Sequence, residues 1–162
     1  MKLISYLNDN KINLGVVLGK ENKLVGIEEL SNGTIPSNIY DYLHDFDSYT
    51  YKANQLISQL NLDSLKTINY NNIVAPIQFP RSFRDFYAFR KHVEAGRKNR
   101  GLEMIPEYDK IPVFYFSNHQ SITGPGLIEI QSKHSEKLDF EFEIGLVISK
   151  QIRNVKAKDA YK

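Results

Sequence analysis

Leu138-Asp139-Phe140-Glu141-Phe142-Glu143-Ile144-Gly145-Leu146-Val147-Ile148 alternates apolar and acidic residues and then turns wholly apolar. In a strand, successive side chains face opposite sides. Leu138, Phe140, Phe142 and Ile144 would line one face, and Asp139, Glu141 and Glu143 the other. An amphipathic strand with a solvated polar face accounts for that alternation. The run Gly145 to Ile148 pulls the other way, because a stretch apolar on both faces is what a strand entering a buried sheet looks like. Acids in a row at the mouth of such a strand repel one another unless a cation or a base sits between them. A hard ion such as Mg²⁺ or Ca²⁺ meets that need, since carboxylate oxygens are its preferred ligands.

Upstream of this segment, Gly124-Pro125-Gly126 is a tight turn by chemistry, too short and wrongly composed for a phosphate loop. Strands are expected at Val113 to Ser117, near Ile128 to Gln131, and from Leu138 to Ser149, with the polar stretch Ser132 to Lys137 between the last two. In Ile111-Pro112-Val113-Phe114-Tyr115-Phe116, alternation separates Phe114 and Phe116 from Val113 and Tyr115. Tyr115 then presents a hydroxyl either to a substrate oxygen or simply to water.

The segment Asp85-Phe86-Tyr87-Ala88-Phe89-Arg90-Lys91-His92 reads as part of a helix from about Ser82 to Gly96, with Ser82 and Asp85 placed like a capping pair. On such a helix Asp85, Phe89, His92 and Gly96 fall within about 60° of one another, and Asp85 lies about 10 Å from His92 along the axis. One face would offer an acid, a histidine and then room at a glycine. Arg100, near the same stripe if the helix persists, is suited to clamp a carboxylate. Taken alone, His92 reads as an ordinary imidazole, and Arg97, Lys98 and Arg100 as a solvated basic turn. His44, His119 and His134 show no metal-ligand spacing, so zinc is not indicated.

The first 30 residues alternate short apolar runs, Leu3 to Leu7, Ile12 to Leu18 and Leu24 to Ile27, with polar turns, which predicts an antiparallel meander. Ile39, Tyr42, Leu43 and Phe46 form a helical stripe, and a second follows at Ala53, Leu56, Ile57 and Leu60. Leu65 to Val74 shifts towards β-branched residues. Pro76 and Pro80 mark an extended connector, which places a boundary near residue 75. Ala157 to Lys162 resembles the opening of a helix. The 162 residues are 41% hydrophobic and 25% charged, a composition for a folded chain with a real core. Lys plus Arg at 21 against Asp plus Glu at 19 gives +2, too balanced for unaided nucleic-acid binding. With no cysteine there is no disulfide, thiolate nucleophile or Cys-based metal site, and no apolar run approaches a membrane span. The start, Met1 to Tyr6, lacks a long apolar signal core, so a cytoplasmic location is expected.

Taken together, Arg84-Asp85-Phe86-Tyr87, His92, Arg100-Gly101, Ile111-Pro112-Val113-Phe114-Tyr115, Gly124-Pro125-Gly126 and Leu138 to Glu143 resemble the fumarylacetoacetate hydrolase family from about Ala75 to Val155. The resemblance implies an α+β, mostly β chain. A small N-terminal α/β domain at 1–75 would precede, at 76–162, the first part of a mixed β-sandwich roll of the catalytic type. It implies that Asp85, Glu141 and Glu143 hold Mg²⁺, Ca²⁺ or Mn²⁺ and that His92 is the general base. Tyr87, Arg100 and Tyr115 would hold the carboxylate and carbonyl oxygens of a small oxo-acid or diketone substrate. The reaction implied is hydrolysis of a carbon–carbon bond in a β-diketone acid, 4-fumarylacetoacetate or an acylpyruvate, in tyrosine and other aromatic amino-acid breakdown. A decarboxylase, isomerase or hydratase of the same fold is an alternative, as is a non-catalytic metal-binding or interaction module. The family's domain extends further and supplies a fourth, aspartate ligand in an Asn-Asp motif absent after Glu143. The chain is therefore expected to be an N-terminal fragment, inactive alone, of an enzyme that is a homodimer when complete.

Overall fold

The computed structural model describes residues 1–131 and 133–160. Ser132 of the polar separator and the last two residues of the expected C-terminal helix, Tyr161 and Lys162, lie outside them. The chain divides into two compact units, Met1–Pro76 with the residues from Gly124 onward, and Ile77–Thr123.

The first unit is built on a sheet in which β1 (Lys2–Asn8), β2 (Lys11–Leu18), β3 (Lys23–Gly26) and β4 (Lys66–Thr67) are neighbours in that order, every pair antiparallel. The expected meander is therefore present. Asp9 and Asn10 both adopt positive φ, 49° and 61°, between the paired Asn8 and Lys11. That is the geometry of a two-residue hairpin whose twist matches the strands, and Asp and Asn tolerate it best after glycine. Alternation on β2 sends Leu14 and Val16 inward, where with Val25 they meet Ile27 and Leu30 of α1 (Ile27–Ser31).

The stripe Ile39 to Phe46 forms two helices rather than one. Asn38 caps α2 (Ile39–His44) by accepting the Asp41 amide at 2.9 Å, and α3 (Phe46–Ile57) restarts after a kink at Asp45. Tyr42 is fully buried between them, its ring 5.9 Å from Phe46 and 5.8 Å from Tyr49, and its hydroxyl 3.0 Å from Thr50 Oγ1. The second stripe does its predicted work: Ala53, Leu56, Ile57 and Leu60 join the core.

Of the β-branched stretch Leu65 to Val74, β4 and a single bridge from Ile73 to Tyr6 reach the sheet. Ser5 then ties the connector to β1, its carbonyl accepting the Val74 amide at 3.0 Å and its hydroxyl donating to Pro76 O at 2.9 Å.

Past Gly124 the chain departs from expectation. Neither Ile128 to Gln131 nor Leu138 to Ser149 forms a strand, and Phe142 is 90% exposed. The physical reason is that a strand has no hydrogen bonds of its own; alternation selects a face only once a ladder exists. The expected excess of strand over helix is accordingly not seen among the described residues. Ala157–Asp159 forms one 3-10 turn.

In the second unit β5 (Arg84–Phe86) pairs antiparallel with β6 (Phe114–Phe116), within the segment expected to be a strand. Helix α4 spans Arg90–Asn99, so the expected helix from Ser82 is corrected. Aromatic Asp85-Phe86-Tyr87 gains more from cross-strand packing than from a helical turn. Ser82 caps nothing there; its hydroxyl accepts from Arg84 Nη1 at 2.9 Å. The fold is thus α+β, with four α-helices and two antiparallel sheets among the described residues.

Candidate functional site

The β5–β6 register sets Arg84 opposite Phe116, Asp85 opposite Tyr115 and Phe86 opposite Phe114. The Tyr87 amide extends the ladder to Val113 O at 3.2 Å, and the Ser117 amide reaches Phe83 O at 3.4 Å. Alternation then divides the side chains. One face carries Phe86 and Phe114 with rings 5.3 Å apart, Phe116 at 5.2 Å from Phe114, and the Arg84 guanidinium 4.9 Å above the Phe116 ring. The other carries Asp85, Tyr87 and Tyr115.

Three of the seven candidate residues therefore share one face of a two-stranded sheet. Directly opposite residues keep their Cβ atoms about 5 Å apart, so the Asp85 carboxylate and the Tyr115 phenol rise from adjacent positions. Asp85 is half-buried, whereas Tyr115 and Tyr87 are exposed. An acceptor-only carboxylate flanked by two phenols, each able to donate, suits a polar ligand bearing several oxygens.

His92 lies in the first half of α4, with Gly96 one turn further on the same side, and its imidazole is exposed. Because Asp85 sits on β5, the helical face on which Asp85, Phe89 and His92 were to line up does not exist; Phe89 is the residue before the helix. Arg100 closes the other end. Its backbone ends the helix, and its Nε donates to Gly96 O at 3.0 Å. One edge of the guanidinium is used in this way while the side chain stays exposed.

Glu141 and Glu143 belong to the first unit, in the segment without strand structure, and both are exposed. Their chemistry, with that of Asp85, fits a hard divalent cation: all three donors are carboxylates. Within neither unit do the described residues gather three His, Asp or Glu side chains into a metal-binding group.

One side-chain cluster near the candidate residues escaped the sequence reading. Arg90 gathers Glu94, Asp109 and Tyr108 around its guanidinium. The i,i+4 spacing of Arg90 and Glu94 was the signal available for it. In the first unit a depression of about 530 Å³ is lined by Tyr6, Asn8, Asn13, Glu28, Glu29 and Ser37, none of them a candidate. No helix among the described residues is long and apolar enough to cross a membrane.

The chain is of the α+β class and presents an Asp-Phe-Tyr segment against an aromatic strand, with a histidine-bearing helix between the two in sequence. The family model for the fumarylacetoacetate (FAA) hydrolase C-terminal domain matches residues 81–162, and the chain belongs to this family. No curated protein matches it. Membership places the chain in a broad group of hydrolases and isomerases.

Proposed function

We propose that this chain serves the metal-dependent hydrolysis of a carbon–carbon bond in a β-diketone acid, 4-fumarylacetoacetate or a related acylpyruvate. The observation that carries the reading is the β5–β6 face, where Asp85, Tyr87 and Tyr115 stand together inside the region matched by the family model. Asp85, Glu141 and Glu143 would hold the divalent cation, Mg²⁺ or Ca²⁺, which when bound supplies Lewis-acid stabilisation of the negative charge that develops on the diketone oxygens.

The remaining roles belong to the chain's own groups. His92 takes a proton from water at an imidazole nitrogen, as a general base. The water oxygen adds to one carbonyl carbon, the bond to the neighbouring carbon breaks, and that carbon leaves with the electron pair and is then protonated. Arg100 faces the substrate carboxylate with the guanidinium nitrogens that Gly96 leaves available. Tyr87 and Tyr115 donate to carbonyl oxygens, holding the diketone in one orientation.

The test follows loss of diketone absorbance for 4-fumarylacetoacetate and several acylpyruvates, with and without Mg²⁺. It is run on this chain and on any longer product that its genomic locus encodes. Turnover that needs the cation and drops at least about 100-fold in Glu141→Ala is expected, the scale at which removing a charge-stabilising group acts. Absence of turnover in every form tested, folded and supplied with Mg²⁺, Ca²⁺ and Mn²⁺ in turn, would overturn the assignment. Decarboxylation of oxo-acids would then be assayed first.

A further inference from the structure

We infer that Arg90 is a positioning residue, a clamp that holds the turn Pro106–Asp109 against the first turn of α4 and thereby fixes the direction in which His92 points. Its Nε donates to Glu94 Oε1 at 2.8 Å, one turn along the helix, and its Nη1 donates to Asp109. The guanidinium carbon lies 5.3 Å from the centre of the Tyr108 ring. The Tyr108 hydroxyl in turn reaches Ala88 O, at 3.5 Å, in the link between β5 and the helix. One side chain thus joins three pieces of the unit: the helix, the strand-to-helix link and the turn that leads into β6.

One other side chain ties α4 to the segment after it, Arg97, whose Nε donates to Glu103 O beyond the far end of the helix. Phe89 provides no side-chain cap, and Val93 is the one buried residue of the helix. A single buried contact resists displacement of a helix better than it resists rolling about its axis. Arg90 and His92 are two residues apart, so they project about 200° apart around the helix, and the clamp grips the side away from the imidazole. A roll of about 20° would swing a side chain at the helix surface by roughly 2 Å. Misplacement of about 1 Å at a reacting group already costs on the order of 100-fold in rate.

Arginine suits the position and lysine does not. Two carboxylates and a ring face are engaged together by a planar fork, whereas an ammonium is a single point of charge without a face to stack. The pairs are exposed, so their loss is expected to leave global stability nearly unchanged. That separates a positioning role from a merely structural one.

The inference rests on the role proposed for His92, and the experiment keeps the two apart. Arg90→Lys and Asp109→Asn are compared with the parent chain by NMR. Faster amide exchange is expected from Val93 to Gly96 and at Lys110 and Ile111, by about fivefold in the single variants, with β2 amides unchanged. The His92 imidazole resonance is expected to move while that of His44 stays in place. In the active protein kcat is expected to fall about tenfold with KM within about twofold. Unchanged exchange rates and an unmoved His92 resonance would overturn the clamp whether or not the protein is a hydrolase. Altered exchange with kcat unchanged would overturn the positioning role. An inactive parent with both NMR effects present supports the clamp and removes the hydrolase reading instead.

Discussion

Tyr6 projects from β1 so that its hydroxyl would lie 2.8 Å from a Cβ placed on Gly26, next to the first turn of α1. Desolvation by burial, and then the charges of Glu29 and Glu28, hold its phenol above the usual tyrosine range. A phenol whose folded value is raised keeps its proton better in the native state. Its stabilising effect is whole below the unfolded value of about 10 and is lost as pH rises through the folded one. Tyrosinate absorbance of the parent minus that of Tyr6→Phe is expected to titrate above about pH 10, and Glu29→Gln to bring it down. A difference curve centred at or below that value would contradict the arrangement. Gly124 poses a steric question instead. A Cβ there would come within 2.6 Å of Val74 Cα and closer still to Ile73 O, both backbone atoms that cannot swing aside. Gly124→Ala is expected to cost on the order of 1–3 kcal/mol in urea unfolding. Gly145→Ala, with open space around it, serves as the control and should change stability by only a few tenths of a kcal/mol.

Helix α4 ends where Gly101 turns to φ 70°, its amide donating to Lys98 O at 2.9 Å and the Leu102 amide to Arg97 O at 2.9 Å. These two bonds satisfy carbonyls that the last turn leaves open, and the left-handed conformation makes glycine the natural occupant. Gly101→Ala should destabilise the second unit by about 1 kcal/mol, read as a lower midpoint for loss of α4 amide protection. An unchanged midpoint would mean that the cap contributes nothing. The sequence carried the meander, because β1 to β3 are local and their alternation is bounded by turn residues. It carried the α3 stripe for the same reason, since helical periodicity needs no distant partner. It did not carry β5, whose partner lies some 30 residues on at Phe114 to Phe116; before that pairing is known, Ser82 and Asp85 look like a helix start. The identities of Asp85, Tyr87 and Tyr115 were legible as candidates, while the face that unites them depends on that non-local ladder. Glu141 and Glu143 show the converse, a clear alternation in a segment that builds no ladder.

Apolar burial is unevenly distributed over the molecule. Among the described residues every buried hydrophobic side chain except Val93 belongs to the first unit, from Leu14 and Val16 on β2 to Ala53 on α3. Cooperative stability follows burial, so opening of the second unit should require less free energy than opening of the first. From Leu138 to Ile148 the opposite extreme holds: Phe140 is 84% exposed, Ile144 is 79% exposed, and the segment lacks strand pairing. Native-state hydrogen exchange should therefore rank β2 slowest, α4 and the β5–β6 pair intermediate, and Phe140 to Ile144 fastest. Alternating exposed apolar residues outside any strand ladder also favour association between chains. Phe140→Lys with Phe142→Lys should lower concentration-dependent light scattering while leaving the urea midpoint of the first unit in place, because neither ring contributes to its core. Protection at Phe140 to Ile144 equal to that of β2, or a midpoint that falls with the lysine pair, would show instead that this segment is held by a ladder and packs as its alternation first suggested.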